Sequence, residues 1–140
     1  GLPLGKKSEI TIPKEFIKTK KLMSAVLRGI FDTDGCVYVE KKRGGLYPRI
    51  HIRTISKPLA LQMQKAFRHL GLRATMHNEP RNIKTRRPHE SYVISIRGFG
   101  MCKKFFKMIR PKNKKHTERY KRAFVEEFKN HITRKIEKTR

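Results

Sequence analysis

Apolar residues along the chain change period several times, and the changes mark out the elements. Leu22, Val26 and Ile30 recur every four residues with Leu27 beside them. That spacing predicts a helix leading from an N-cap at Thr19 to Phe31. From Cys36 to Lys42 the period becomes two, with Val37 and Val39 opposed to Tyr38, Glu40 and Lys42. Arg43-Gly44-Gly45 reads as a turn. Tyr47–Thr54 then alternates again, Ile50 and Ile52 against Arg49, His51 and Arg53. Ser56 caps a second helix, with Lys57-Pro58 in its first turn. Its stripe is Leu59, Met63, Ala66, Phe67 and Leu70, and Gly71 suits the C′ position. Leu72–His77 alternates once more, and Asn78–Pro88 is a polar loop. Ser91–Arg97 sets Tyr92, Ile94 and Ile96 against Ser91, Val93, Ser95 and Arg97. A third helix is expected over Phe99–Ile109, then a basic loop over Arg110–Lys115. A last helix follows over His116–Phe128, with Tyr120, Phe124 and Phe128 four apart.

The order is therefore helix, two strands, helix, two strands, helix, helix. Four strands of this kind form one antiparallel sheet with helices on its apolar face, an α+β domain with the other face open. Residues 1–18, opening with a Gly/Pro/Lys-rich run, read as linker-like. Residues 19–130 form the folded unit, and 131–140 read as a basic, frayed tail. No second copy of the stretch ending Asp32-Thr33-Asp34-Gly35 occurs.

Charge changes the picture. The chain carries 36 Lys and Arg against 11 acids, a formal net charge of +25. Such a chain attracts polyanions, nucleic acid first and an anionic membrane surface second. No apolar run approaches the roughly 18 residues of a membrane span, and no signal peptide is visible. Cys36 and Cys102 stand far apart with no CxxC and no His at zinc spacing, which argues against a structural zinc. A reduced, cytoplasmic or organellar setting suits them. Between Glu40 and Glu79 there are nine Lys and Arg and no acid, so the open face is basic along its length. A basic two-stranded ribbon fits a DNA major groove, while Lys and Arg elsewhere hold phosphates. The outward residues expected to touch DNA are Tyr38, Glu40, Lys42, Tyr47, Arg49, His51, Arg53, Arg73, Thr75, His77, Ser95 and Arg97.

Two acids, Asp32 and Asp34, stand where the first helix runs out, at the end of the dipole that disfavours them. An Asp on a phosphate-binding surface needs a cation between. Mg²⁺ (or Mn²⁺) bound through carboxylates and phosphate oxygens would give metal-assisted phosphodiester hydrolysis. One carboxylate is a thin site, and two copies would be adequate. Ala25 and Gly29, four apart, supply a small-residue face on which two such helices could pack closely. Asp32-Thr33-Asp34-Gly35 also suits a polar turn between helix and strand, Asp-Gly being a common turn pair.

Leu27-Arg28-Gly29-Ile30-Phe31-Asp32-Thr33-Asp34-Gly35 resembles the motif of the LAGLIDADG homing endonucleases, Arg28 departing from the name-giving letters. The opening G-L-P-L-G-K-K-S resembles the segment before this motif in intein and archaeal-intron members. The resemblance covers nearly the whole chain and implies an αββαββα core whose four-stranded saddle sits on double-stranded DNA. It implies that Ala25, Gly29 and Asp32 belong to a dimer interface of motif helices, and that Asp32 also serves the helix end. Asp34 and the Thr33 carbonyl would bind the catalytic divalent metal, and a long near-palindromic site would be cut on both strands. A basic residue after the third helix (Lys114, Lys115 or His116) would assist. The amide that often ends the second strand is replaced here by Thr54. With one motif, the chain is expected to act as a homodimer, or as the second half of a two-motif protein. Other readings are a non-cleaving relative, either an RNA-splicing maturase or a DNA-binding regulator, and more remotely an rRNA-binding protein.

Overall fold

The computed structural model describes residues 7–43, 45–82, 84 and 89–138, with the backbone alone over 126–135. Gly44 of the expected turn, residues 83 and 85–88 of the polar loop, residues 1–6 and 139–140, and the Phe128 side chain lie outside the described residues.

Two 3-10 turns, Lys7–Glu9 and Lys14–Ile17, precede α1 (Lys20–Asp34). Strands β1 (Gly35–Lys42) and β2 (Gly45–Thr54) follow, then α2 (Lys57–His69), β3 (Thr75–Glu79), β4 (Ser91–Arg97), α3 (Phe99–Ile109) and α4 (Lys114–Lys138). The strands form one antiparallel sheet in the order β1-β2-β4-β3. The expected α+β architecture is therefore observed.

The sequence signals act where their chemistry places them. The Thr19 hydroxyl accepts from the Leu22 N–H, and the Ser56 hydroxyl accepts from Leu59 N–H. Gly71 takes φ +81, and Gly71 N–H and Leu72 N–H close a Schellman pair on the carbonyls of Arg68 and Phe67. The inward rows bury Val37, Ile50, Ile52, Ile94 and Ile96 against Leu27, Phe31, Met63, Phe67, Phe105 and Ile109. Phe31 stands at the centre, its ring 4.8 Å from that of Phe105 and 4.6 Å from that of His116.

Four boundaries differ from expectation. Helix α1 runs three residues past Phe31 to Asp34. The Thr33 hydroxyl bonds back to the Gly29 and Ile30 carbonyls, so polar residues end the apolar pattern without ending the helix. The third strand begins at Thr75, not Leu72, and runs to Glu79. Leu72 and Ala74 are buried, but the chain there is still leaving α2, and Arg73 N–H points to the Met101 sulfur. Helix α4 starts at Lys114 and continues to Lys138, through residues expected to fray. No Gly or Pro interrupts it. Finally, part of the linker-like start is fixed to α2. Ile12 is buried, and the Gln62 amide both donates to and accepts from its backbone, at 3.1 and 2.7 Å.

Candidate functional site

Helix α1 passes into β1 with no intervening loop, and Gly35 makes that possible. A Cβ at Gly35 would collide with the Phe31 ring and lie 2.5 Å from the Phe31 carbonyl oxygen. Gly35 pairs with Ile52, so Asp34 leaves the helix at the edge of the sheet. Its side chain is exposed and makes no hydrogen bond or ion pair among the described residues. The last carbonyls of an α-helix lack intrahelical donors, which leaves the Thr33 carbonyl at the negative end of the dipole beside it. No group of three or more His, Cys, Asp or Glu among the described residues could hold a metal. One exposed carboxylate per chain nonetheless fits Mg²⁺, which takes one or two carboxylates and completes its shell from phosphate and water.

Asp32 does a different job. Its carboxylate accepts from the backbone N–H groups of Lys112 and Asn113 at 3.0–3.1 Å, and the Asn113 amide donates to the Asp32 carbonyl. Asn113 is the N-cap of α4, its Oδ1 accepting from Lys115 N–H. Asp32 was expected at the dimer interface with Ala25 and Gly29. Its carboxylate is engaged within its own chain. One turn earlier Arg28, the departure from the motif letters, donates from Nε to the Ile109 carbonyl at 2.6 Å. One flank of α1 thus sets a cation at the C-terminus of α3 and an anion at the N-terminus of α4, both matched to the dipoles. Charge-assisted bonds of this kind contribute about 1.5–3 kcal/mol. Asp32→Ala should therefore cost about 2 kcal/mol in urea unfolding, with Asp32→Asn recovering part of it. Equal stability of all three proteins would remove Asp32 from this role.

Of the basic candidates after α3, Lys114 and Lys115 are exposed on the first turn of α4. His116 is not available. It is buried under the end of α1, against the Phe31 ring. Burial lowers its pKa, opposed by the nearby Asp32 charge and the Phe31 backbone and assisted by Arg119 and Lys115. Thr54 is not available either. It lies on the covered side of β2, and its hydroxyl accepts from Ser56 N–H at 3.1 Å. Ala25 and Gly29 are exposed, and a Cβ on Gly29 would meet nothing within 4 Å.

The register puts the expected DNA-facing residues on one face in rows. Cys36, His51, Ser95 and Thr75 form one row, Tyr38, Arg49 and Arg97 another, and Arg53, Val93 and His77 a third. Depth within the face differs from expectation. Ser95 is buried, between His51 and Thr75 in its row, so it cannot touch DNA directly. Arg73 lies off the sheet. Arg49 is largely covered: its guanidinium pairs with Glu40 and approaches the Tyr38 hydroxyl at 3.5 Å. Glu40, expected to face DNA, is held there, with Lys42 3.7 Å away. Lys42, Tyr47, Arg53, Thr75, His77 and Arg97 remain exposed. Glu79, expected in a loop, ends β3 and binds Arg53, a contact between residues 26 apart that no local pattern signals.

His51 stands half-buried in the middle of this face, its ring 4.8 Å from Tyr38. Burial, then His77, Arg49, Arg97 and Arg53, lower its pKa to about 4. The unfolded chain takes up protons at His51 and His116 near pH 6.5, whereas the folded chain resists. Stability is then full above pH 6.5 and falls on acidification towards pH 4. The melting temperature should drop by several degrees from pH 7.5 to pH 5, and His51→Gln should flatten that slope. A flat profile in the parent protein would contradict these shifts.

A family model described as a LAGLIDADG-like domain matches residues 21–133. The chain belongs to the LAGLIDADG-like domain family. The matched span runs from the start of α1 into α4, so it takes in the motif helix, the whole sheet and the α3–α4 junction. No match was found among curated proteins. Membership gives the exposed end of α1 and the open LAGLIDADG-type sheet a common setting in a family of homing-endonuclease type. No helix among the described residues is long and apolar enough to cross a membrane.

Proposed function

We propose that this protein is a site-specific, divalent-metal-dependent double-stranded DNA endonuclease that works as a dimer through α1. The observation that carries the reading is Asp34: an exposed carboxylate, without a hydrogen-bond or ion-pair partner among the described residues, at the edge of a basic sheet and at the end of a helix that exposes Ala25 and Gly29. An acid in that place weakens phosphate binding by itself. Two of them, one from each α1, would hold a divalent cation against a phosphodiester. When bound, the cation supplies charge stabilisation in the transition state and acidifies water at neutral pH. Asp34 and the Thr33 carbonyl would hold it, Lys114 and Lys115 would offset developing negative charge, and Tyr47, His77 and Arg97 would position the duplex. A second copy of the chain would supply the second half of the site. The other half of a two-motif assembly would serve equally.

A second reading, a non-cleaving maturase or DNA-binding regulator, is favoured by one feature. The Thr54 hydroxyl is engaged by Ser56 N–H, at the α2 cap, and so is not free to order water as the usual amide would. The two readings separate in one experiment. Duplexes selected by the protein from a randomised pool are incubated with Mg²⁺ or Mn²⁺, and with EDTA. The endonuclease reading expects both strands cut only with metal. Retention of the selected duplex without a product in either metal favours the second reading, and preference for structured RNA over any duplex favours the maturase form of it.

A further inference from the structure

Two acids lie in the open-face rows of the strands among the described residues, and each holds an arginine of β2. The two pairs are not alike. Arg49 has both terminal nitrogens engaged, by Glu40 and Tyr38, and its side chain is 16% exposed. Arg53 crosses over Val93 to reach Glu79, and its Nη2 alone meets both carboxylate oxygens, at 3.0 and 2.9 Å. Its Nη1 and Nε make no hydrogen bond among the described residues, and the side chain is 47% exposed. His77 Nε2 stands 3.7 Å from the same carboxylate and flanks the pair.

An arginine anchored through one hydrogen of a terminal nitrogen has lost much of its rotamer freedom before any ligand arrives, and the second hydrogen of that nitrogen still forms a planar pair of donors with a neighbouring N–H. The pair as a whole is close to neutral, so a phosphate gains little from it and is repelled by the carboxylate. A guanine edge is different: it is uncharged and presents O6 and N7 as two acceptors to a planar fork. Arg97, exposed and with no acid partner among the described residues, has the opposite character and suits a phosphate. Resting on the DNA-binding function above, we infer that Glu79 is a positioning residue that makes Arg53 the guanine-reading side chain of the sheet. Arg49, by the same comparison, braces the face and reads nothing.

The test is selection from a pool of duplexes with a randomised centre, retained on the immobilised full chain and sequenced. The parent protein should enrich guanine at one position in each half-site. Arg53→Ala and Glu79→Gln should each cut that enrichment about tenfold at that position and at no other. Glu79→Gln should also retain more of the unselected pool, because a negative charge has left the face. Glu79→Asp keeps the charge but withdraws the carboxylate from Arg53. It should lose the enrichment without gaining general retention, which separates positioning from charge alone. Arg97→Ala should lower retention across the pool and leave the guanine preference in place. Guanine enrichment that survives in Glu79→Gln and Glu79→Asp, or in Arg53→Ala, overturns the inference while leaving the DNA-binding function standing. A parent protein that retains no duplex overturns that function, and the inference with it.

Discussion

Asp34→Asn should abolish double-strand cleavage while making the folded chain slightly more stable. The two effects have separate causes. If Asp34 holds the metal as proposed, removing its charge forfeits several kcal/mol of transition-state stabilisation, a loss of about a thousandfold or more. The side chain is exposed and makes no hydrogen bond or ion pair among the described residues, so folding loses none. A negative charge at a helix C-terminus opposes the macrodipole, and deleting it stabilises by about 0.3–1 kcal/mol. Binding should split the same way. In EDTA the Asn variant should hold duplex DNA more tightly than the parent, because the acid no longer repels phosphate. With Mg²⁺ the order should reverse. Cleavage assays and filter binding in both conditions read all of this. Full cutting by Asp34→Asn would mean that the metal is held elsewhere.

Gly29→Leu should convert a dimer to a monomer and at the same time raise the stability of that monomer. A side chain there meets open space in the isolated chain. Leucine is also favoured over glycine in a helix interior by roughly 0.5–1 kcal/mol. Any loss of self-association must then come from the partner helix, which could no longer approach. Sedimentation velocity gives the species, and urea unfolding at low concentration gives the monomer stability. An unchanged sedimentation profile would move the interface away from Ala25 and Gly29. Cleavage should fall with the dimer, since one copy offers a single Asp34.

The fold was largely legible because its determinants are local. Alternation in β1, β2 and β4 follows from period two, and Thr19, Ser56 and Gly71 carry their capping chemistry in their side chains or in the lack of one. The motif around Asp34 could be read because it is contiguous. What escaped the sequence is what lies between distant residues. Asp32 meets Lys112 and Asn113, 80 and 81 positions away, and Arg53 meets Glu79 across an intervening strand. Alternation gives the face of a residue but not its depth: it puts Ser95 on the open face, where the side chain is nonetheless buried. His116 looked like its two lysine neighbours in the chain. Only the packing of α4 on Phe31 separates it from them.

The double tie made by Arg28 and Asp32 has a mechanical consequence. Helix α1 is anchored to the end of one helix and the beginning of another, so it behaves as a crossbar and not as an independent strut. The lysines at the start of α4 ride on that bar, as does the Phe31 wedge beneath it. In the proposed dimer, two such bars would bring Asp34, Lys114 and Lys115 together already aligned. Assembly and the setting of those groups would then be a single event, and a change that tilts the bar would disturb both.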